Sequence, residues 1–232
     1  MTLQAFGPQI WIADGPVLTA AAGFRYPTRM AVIRLAKGGL FVWSPTALSP
    51  DLRAGIDALG PVEHIVAPNS LHDTFLTPWR DAYPDARLYA PPGLRARRPD
   101  LAFDADLADE AAEAWTGQID QVQMRGAWIT TEVVFFHRAS RTAIFTDLIQ
   151  HFSPGWFSGW RGLIARLDLM TGPAPAVPRK FRAAFTDRRA ARAALRRIRA
   201  WPVEQVLMAH GAPVTSDGRQ FIARAFDWLE PA

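Results

Sequence analysis

The chain contains no cysteine. That excludes disulfides, thiolate zinc sites, iron–sulfur clusters and cysteine nucleophiles. A metal held here must draw on His, Asp, Glu or Asn. Histidine is itself scarce, five in 232 residues, so a histidine-rich centre would consume nearly all of them. Lysine is almost missing as well, Lys37 and Lys180 being the only two. The sequence pI is about 10.1, yet the formal net charge is only +4. The high pI follows from arginine, which stays protonated at very high pH. Nucleic-acid binding is therefore the minor reading of this charge. No run reaches the ~18 apolar residues that span a bilayer. The start, MTLQAFGPQIW, has neither the basic n-region nor the long apolar stretch of a signal peptide. The expectation is a cytoplasmic protein without membrane insertion.

Hydrophobic residues make up 49% and charged residues 21% of the chain, ordinary values for a globular protein with a real core. Met30 to Leu35 and Leu40 to Ser44 read as strands around a Lys37-Gly38-Gly39 hairpin signal. Ser49-Pro50-Asp51 places a helix N-cap, a proline at the first helical position and an acid in the first turn, with the helix running to Leu59. Further short strands are expected at Ile10 to Ala13, His64 to Ala67 and Arg87 to Ala90. A second run follows at Ile119 to Met124, Glu132 to His137, Thr142 to Thr146 and Gln205 to Ala209. Helices are expected at Thr77 to Tyr83, Asp187 to Ala200 and Asp217 to Trp228. Strand runs thus come twice, each closed by helices. This order fits an α/β, four-layer αββα sandwich of two mixed β-sheets flanked by helices. No linker divides residues 1–232, so one domain is expected, with a Gly-, Pro- and Trp-rich irregular insertion at about 148–180.

Polar residues gather just past the buried strands: His72 and Asp73 after HIVA, Asp147 after TAIFT, and His210 after QVLMA. Rigid scaffolds present functional groups at such strand ends. Each residue alone is as readily a turn residue or helix cap. Together, neutral histidines and carboxylates are what a hard or borderline metal needs.

On these landmarks the chain resembles the metallo-β-lactamase fold superfamily along almost its entire length. The stretches carrying the resemblance are LFVWS, IVAPNSLHD, IFTDL and VLMAHG. A closer likeness, to an uncharacterised branch in bacteria and plants, rests on YPTRMAVIRL, WSPTALS, IVAPNSLHDTFLTPW, DARLYAPP and FFHRASRTAIFTDL. Active members carry His-x-His-x-Asp-His where this chain has Asn69-Ser70-Leu71-His72-Asp73-Thr74. The resemblance implies that the first metal site is lost, since Asn69 and Leu71 occupy its histidine positions and Met124 to Ala127 offers no third ligand. For the second metal, Asp73, Asp147 and His210 match ligand positions; Thr74 replaces the remaining histidine and His72 stands nearby. Ser44 takes the place of a supporting Asp.

The resemblance thus implies at most one Zn, Fe or Mn ion on His72, Asp73, Asp147 and His210, with Asp73 or Asp147 as general base. Arg29 is a further pocket candidate, either clamping a substrate anion or pairing with Asp73 or Asp147 in place of a lost metal. His137 would orient Asp147 from the adjacent strand; its alternative is a strand-end histidine satisfied locally. Phe152, Trp156, Phe157 and Trp160, spaced by three or four, suggest a lid that forms an apolar wall, a partner surface or simple packing. Two functions remain open. One is a non-catalytic relic with a degenerate site that binds a small molecule or a protein partner. The other is a single-metal hydrolase of a small ester, lactone, thioester or phosphoester.

Overall fold

The computed structural model describes residues 1–230. Seven strands form the first sheet in sequential order: β1 (Gln4–Gly7), β2 (Ile10–Thr19), β3 (Arg25–Arg34), β4 (Leu40–Trp43), β5 (Val62–Val66), β6 (Arg87–Ala90) and β7 (Ala105–Asp106). The first four are antiparallel neighbours, and from β4 onward the pairing is parallel. The second sheet has the order β11 (Gln205–His210), β10 (Thr142–Gln150), β9 (Glu132–His137) and β8 (Ile119–Met124). Only its β10–β11 pair is parallel. Both sheets are mixed, as expected.

The apolar run MAVI in β3 shows why clean alternation is missing from the sequence. Successive side chains point to opposite faces, and both faces are covered. Ala31 and Ile33 enter the core between the sheets, with Phe41, Trp43, Phe135 and Leu207. Met30 and Val32 enter an outer core beneath α1 (Pro50–Asp57) and α2 (Leu76–Ala82), which Leu94 of the short α3 (Leu94–Arg97) joins. On the far side of the second sheet, Phe136, Phe145 and Met208 pack beneath α6 (Arg188–Ala200) and α7 (Gly218–Ala225). Three stacked cores define the four αββα layers.

The local signals at α1 act as read: Ser49 Oγ accepts from Leu52 N at 3.3 Å, and Pro50 opens the helix. Its crossover lets β5 lie parallel to β4. Two departures from expectation matter for the site. β2 runs on to Thr19 and β10 runs on to Gln150, each through a register shift, between Asp14 and Val17 in one and between Phe145 and Gln150 in the other. The 148–180 segment is also less irregular than its composition suggests. It finishes β10 and carries α4 (Gly159–Leu167), followed by α5 (Arg179–Ala184). Gly159 and Gly162 weaken the helix signal in sequence, while packing of Ala165 against Phe152, Phe157 and Met170 holds the helix in place. Among the described residues, no helix is long and apolar enough to cross a membrane.

Candidate metal centre

Three chain segments meet at the C-terminal ends of the strands. The loop after β5 brings His72, the irregular part of β10 brings Asp147, and the end of β11 brings His210. One ligand atom from each lies within 4.8 Å of the other two. His72 Nε2 is 3.2 Å from Asp147 Oδ2, and His210 Nε2 is 3.3 Å from Asp147 Oδ1. Asp147 and His210 are buried and His72 is nearly so. Two ligands bonded at about 2.0–2.2 Å in a tetrahedral site stand about 3.3–3.6 Å apart, and the two separations to Asp147 come close to that.

The outer nitrogens of the two imidazoles are held from behind. His210 Nδ1 is 2.8 Å from the Pro27 carbonyl oxygen. A carbonyl only accepts, so Nδ1 carries a proton and Nε2 is the atom turned to Asp147. His72 Nδ1 meets Ser44 Oγ at 2.8 Å. Ser44 holds its hydroxyl there from a left-handed backbone conformation, φ 50°, which is uncommon for a residue other than glycine. An unprotonated Nε2 facing an ionised carboxylate would set lone pair against lone pair. The geometry therefore calls for a cation between them, a second proton on the ring or a metal ion. Burial opposes ionisation of Asp147, but the adjacent charge of His72 and hydrogen bonds from His210 and His72 overcome it. They hold its carboxyl well below the usual carboxylate range.

Asn69 completes the inner face. Its Oδ1 accepts from Leu71 N at 2.9 Å, which fixes the orientation of the amide. Its Nδ2 then donates to Asp147 Oδ2 at 2.8 Å and to Thr146 Oγ1 at 3.1 Å. Behind Asp147 lies Glu132, which no motif in the sequence marks as part of the site. Glu132 Oε1 accepts from Thr146 N at 2.8 Å, and Oε2 from Asp147 N at 2.8 Å and Leu148 N at 3.1 Å. Where β10 leaves its partner strand, this carboxylate replaces the missing ladder acceptors and fixes the bend that presents Asp147. Complete burial, then the charge of Asp147, push the Glu132 carboxyl up to about 7 against the pull of those hydrogen bonds. The available signal was a lone acid opening the otherwise apolar strand EVVFFH.

A cavity of about 410 Å³ opens over the three residues. Leu18, Tyr26, Phe75, Ile129 and Phe181 give it mainly apolar walls, and Lys180 stands on its lining. Tyr26 packs edge-on to the His210 ring at 5.3 Å.

Residues 9–159 match the family described as "Domain of unknown function (DUF4336)". The chain belongs to the DUF4336 family. No curated protein matches it significantly. Its fold is that of the metallo-β-lactamases, shared at low sequence identity with many solved structures. A metallo-β-lactamase from Pontibacter korlensis is 12% identical with a TM-score of 0.64, covering 99% of each chain. FIM-1 from Pseudomonas aeruginosa, solved in a mono-zinc form, is 12% identical with a TM-score of 0.64 over 99% of this chain and 96% of its own. The metal-soaked Flv1 flavodiiron core from Synechocystis sp. PCC6803 is 11% identical with a TM-score of 0.67, over 98% of this chain and 60% of that one.

Not every expected residue joins the centre of this DUF4336 chain. His72, Asp147, His210, Ser44 and Asn69 come together. Asp73 does not: its carboxylate lies 3.5 Å from Arg98, which also donates to the Asp73 carbonyl at 3.0 Å. That carbonyl also accepts from Leu76 N at 3.2 Å in the turn into α2. Arg29 pairs with neither Asp73 nor Asp147. The β2–β3 register sets it opposite Asp14, and it donates to Asp14 Oδ1 at 2.6 Å, to the Met208 carbonyl at 3.0 Å and to the Gly211 carbonyl. His137 sits at the opposite end of β9 from the bend at Asp147. Its Nδ1 meets Ser140 Oγ at 2.7 Å, so the local alternative describes it. Of the aromatic cluster, Phe152 and Phe157 are buried, while Trp156 and Trp160 are exposed.

Proposed function

We propose that the pocket binds one divalent metal ion through His72, Asp147 and His210 and hydrolyses a small, largely apolar ester, lactone or thioester. The observation that carries this reading is the His210 ring, whose Nδ1–H is committed to Pro27 and whose Nε2 faces an ionised Asp147. Two histidines and one carboxylate leave coordination positions open, the donor set of catalytic rather than structural sites. A divalent ion held so supplies Lewis acidity and lowers the pKa of a bound water toward neutrality. Ser44 and the Pro27 carbonyl orient the two imidazoles, as partners of ligating histidines do. Glu132 and Asn69 fix Asp147. The apolar walls bind the substrate's hydrocarbon part and keep bulk water from it. Asp73, engaged by Arg98, has no part as base in this arrangement.

Asn69 supports a second reading. Its amide fills space beside Asp147 and binds the carboxylate directly, as a side chain would in a site that has given up a ligand. On that reading the centre is a relic in which doubly protonated histidines balance Asp147, and the cavity binds a small molecule without turnover. Elemental analysis of the purified native protein and of His210→Ala, with hydrolysis of nitrophenyl esters and acyl thioesters by both, separates the two. Stoichiometric metal and turnover in the native protein, both lost in the variant, are expected. Native protein without metal, or loaded protein without turnover on any of these substrates, would overturn the hydrolase.

A further inference from the structure

Helix α4 is inside out. Trp160, Leu163, Ile164 and Leu167 recur at the spacing of one helical face, and that face looks to solvent, with exposures of 52, 52, 44 and 56%. The buried contact is made by Ala165 against Phe152, Phe157 and Met170, with Gly162 close to the backbone of Phe157. Five of the eight large hydrophobic residues exposed among the described residues fall between Trp156 and Leu167. A soluble helix ordinarily buries its large residues and exposes its small ones.

The segment that carries this face is equally one-sided in charge. Between 148 and 185 the chain carries Arg161, Arg166, Arg179, Lys180 and Arg182 against Asp168 alone. That excess of four equals the net charge of the entire protein, +4, so the remainder of the chain sums to zero. Asp168 is itself engaged, 3.4 Å from Lys180 Nζ. Arg166 is exposed on α4, and Arg179 donates to the Leu167 carbonyl at 2.9 Å, at the end of the helix. Arg161 lies over the Trp160 ring at 4.6 Å and donates to the Ala22 carbonyl at 2.7 Å. The last contact joins α4 to the Ala20–Tyr26 segment, both ends of which line the cavity.

We propose that α4 docks this protein on an anionic lipid membrane, lying in the interface without spanning it. Tryptophan and aliphatic side chains on one face with arginines beside them are the composition of an interfacial helix, and the basic excess complements acidic headgroups. A second copy of the chain is a poorer occupant. A two-fold contact would set the basic patch against itself, and one short stripe falls far below the ~20–30 residues a side of a stable interface. The proposal does not depend on the metal centre.

The test is sedimentation of the full chain with phosphatidylcholine vesicles, with and without phosphatidylserine. Binding is expected only to the anionic vesicles, and raised salt should release it. Leu163→Ser combined with Leu167→Ser should weaken binding at least about tenfold, and Arg166→Gln about fivefold. The positions are exposed, so thermal midpoints should not move. His210→Ala should bind as the native chain does, which separates this surface from the catalytic reading. Absence of binding to anionic vesicles, or full binding by the double serine variant, would overturn the proposal. So would a native dimer that the double variant converts to monomer, which would assign the face to a second copy.

Discussion

Arg29 makes two kinds of contact, and replacing it decides which of them holds the end of β11. Its ion pair with Asp14 is close, 2.6 Å, but the Asp14 side chain is 59% exposed. An exposed pair of this kind contributes about 0–1 kcal/mol. The bonds to the Met208 and Gly211 carbonyls are part-buried and charge-assisted, worth about 1.5–3 kcal/mol each. Arg29→Met keeps much of the stem's packing and leaves both acceptors without their donor. Its expected cost is about 3–6 kcal/mol, against less than about 1 kcal/mol for Asp14→Asn. Urea denaturation of both single variants and the double variant measures this directly. The two carbonyls bracket His210, so Arg29→Met should also weaken metal retention in a chelator competition, while Asp14→Asn should not. Equal costs for the two single variants would refute the assignment, because the ion pair would then be the contact that matters.

Ser44→Ala removes the partner of His72 Nδ1 and should weaken metal binding about 10–100-fold in the same competition. Ser44→Gly should lose as much affinity yet melt higher than Ser44→Ala, because glycine relieves the φ of 50°. Burial lowers His137 to about 4. The folded state then keeps the ring neutral while the unfolded chain takes up a proton below about 6.5, so stability is lost as pH falls from 6.5 toward 4. For His137 alone that amounts to about 2 kcal/mol at pH 5. His137→Asn keeps a donor near Ser140 Oγ and should flatten this acid limb by that amount in urea titrations at pH 8 and 5; parallel profiles would count against it. Gly211→Ala puts a Cβ 2.4 Å from the His151 carbonyl oxygen at φ +136°, and should cost more than about 2 kcal/mol by thermal unfolding.

The strands and the capped helix were legible because their signals are local. Lys37-Gly38-Gly39 turns β3 into β4, and Ser49 caps α1 whatever surrounds it. His72, Asp147 and His210 were legible because each lies at or past the end of an apolar run, and such ends converge in an αββα sandwich. Asp73 and His72 are neighbours with the same sequence credentials; only the contact with Arg98 sets one of them apart. The pairing of Arg29 with Asp14 is not legible, because its neighbour across the strands depends on β2 continuing past Ala13, through a bulge that no periodicity announces. The role of Glu132 is not legible either, because an acid at a strand's start ordinarily faces water. Its burial follows from the gap in hydrogen bonding that β10 opens when it bends, a tertiary feature. The exposed stripe of α4 does have helical spacing, but spacing does not say which side of a helix is covered.

His72 follows β5 of the first sheet, whose strands are all complete by Asp106, whereas His210 is the last residue of the last strand. During synthesis the first sheet can close long before the centre exists. Until β11 emerges and takes its place beside β10, Asp147 has only one of its two histidines. A chain cut short before β11 could therefore not carry the centre, and a cation that binds there would add to the contacts that Arg29, Asn69 and the Pro27 carbonyl already make between the two sheets at that end. At a hundredfold excess over its Kd such a cation would stabilise the finished molecule by about 2.7 kcal/mol. Occupancy would then serve as a mark of completion, granted only to protein that has been made to its final strand.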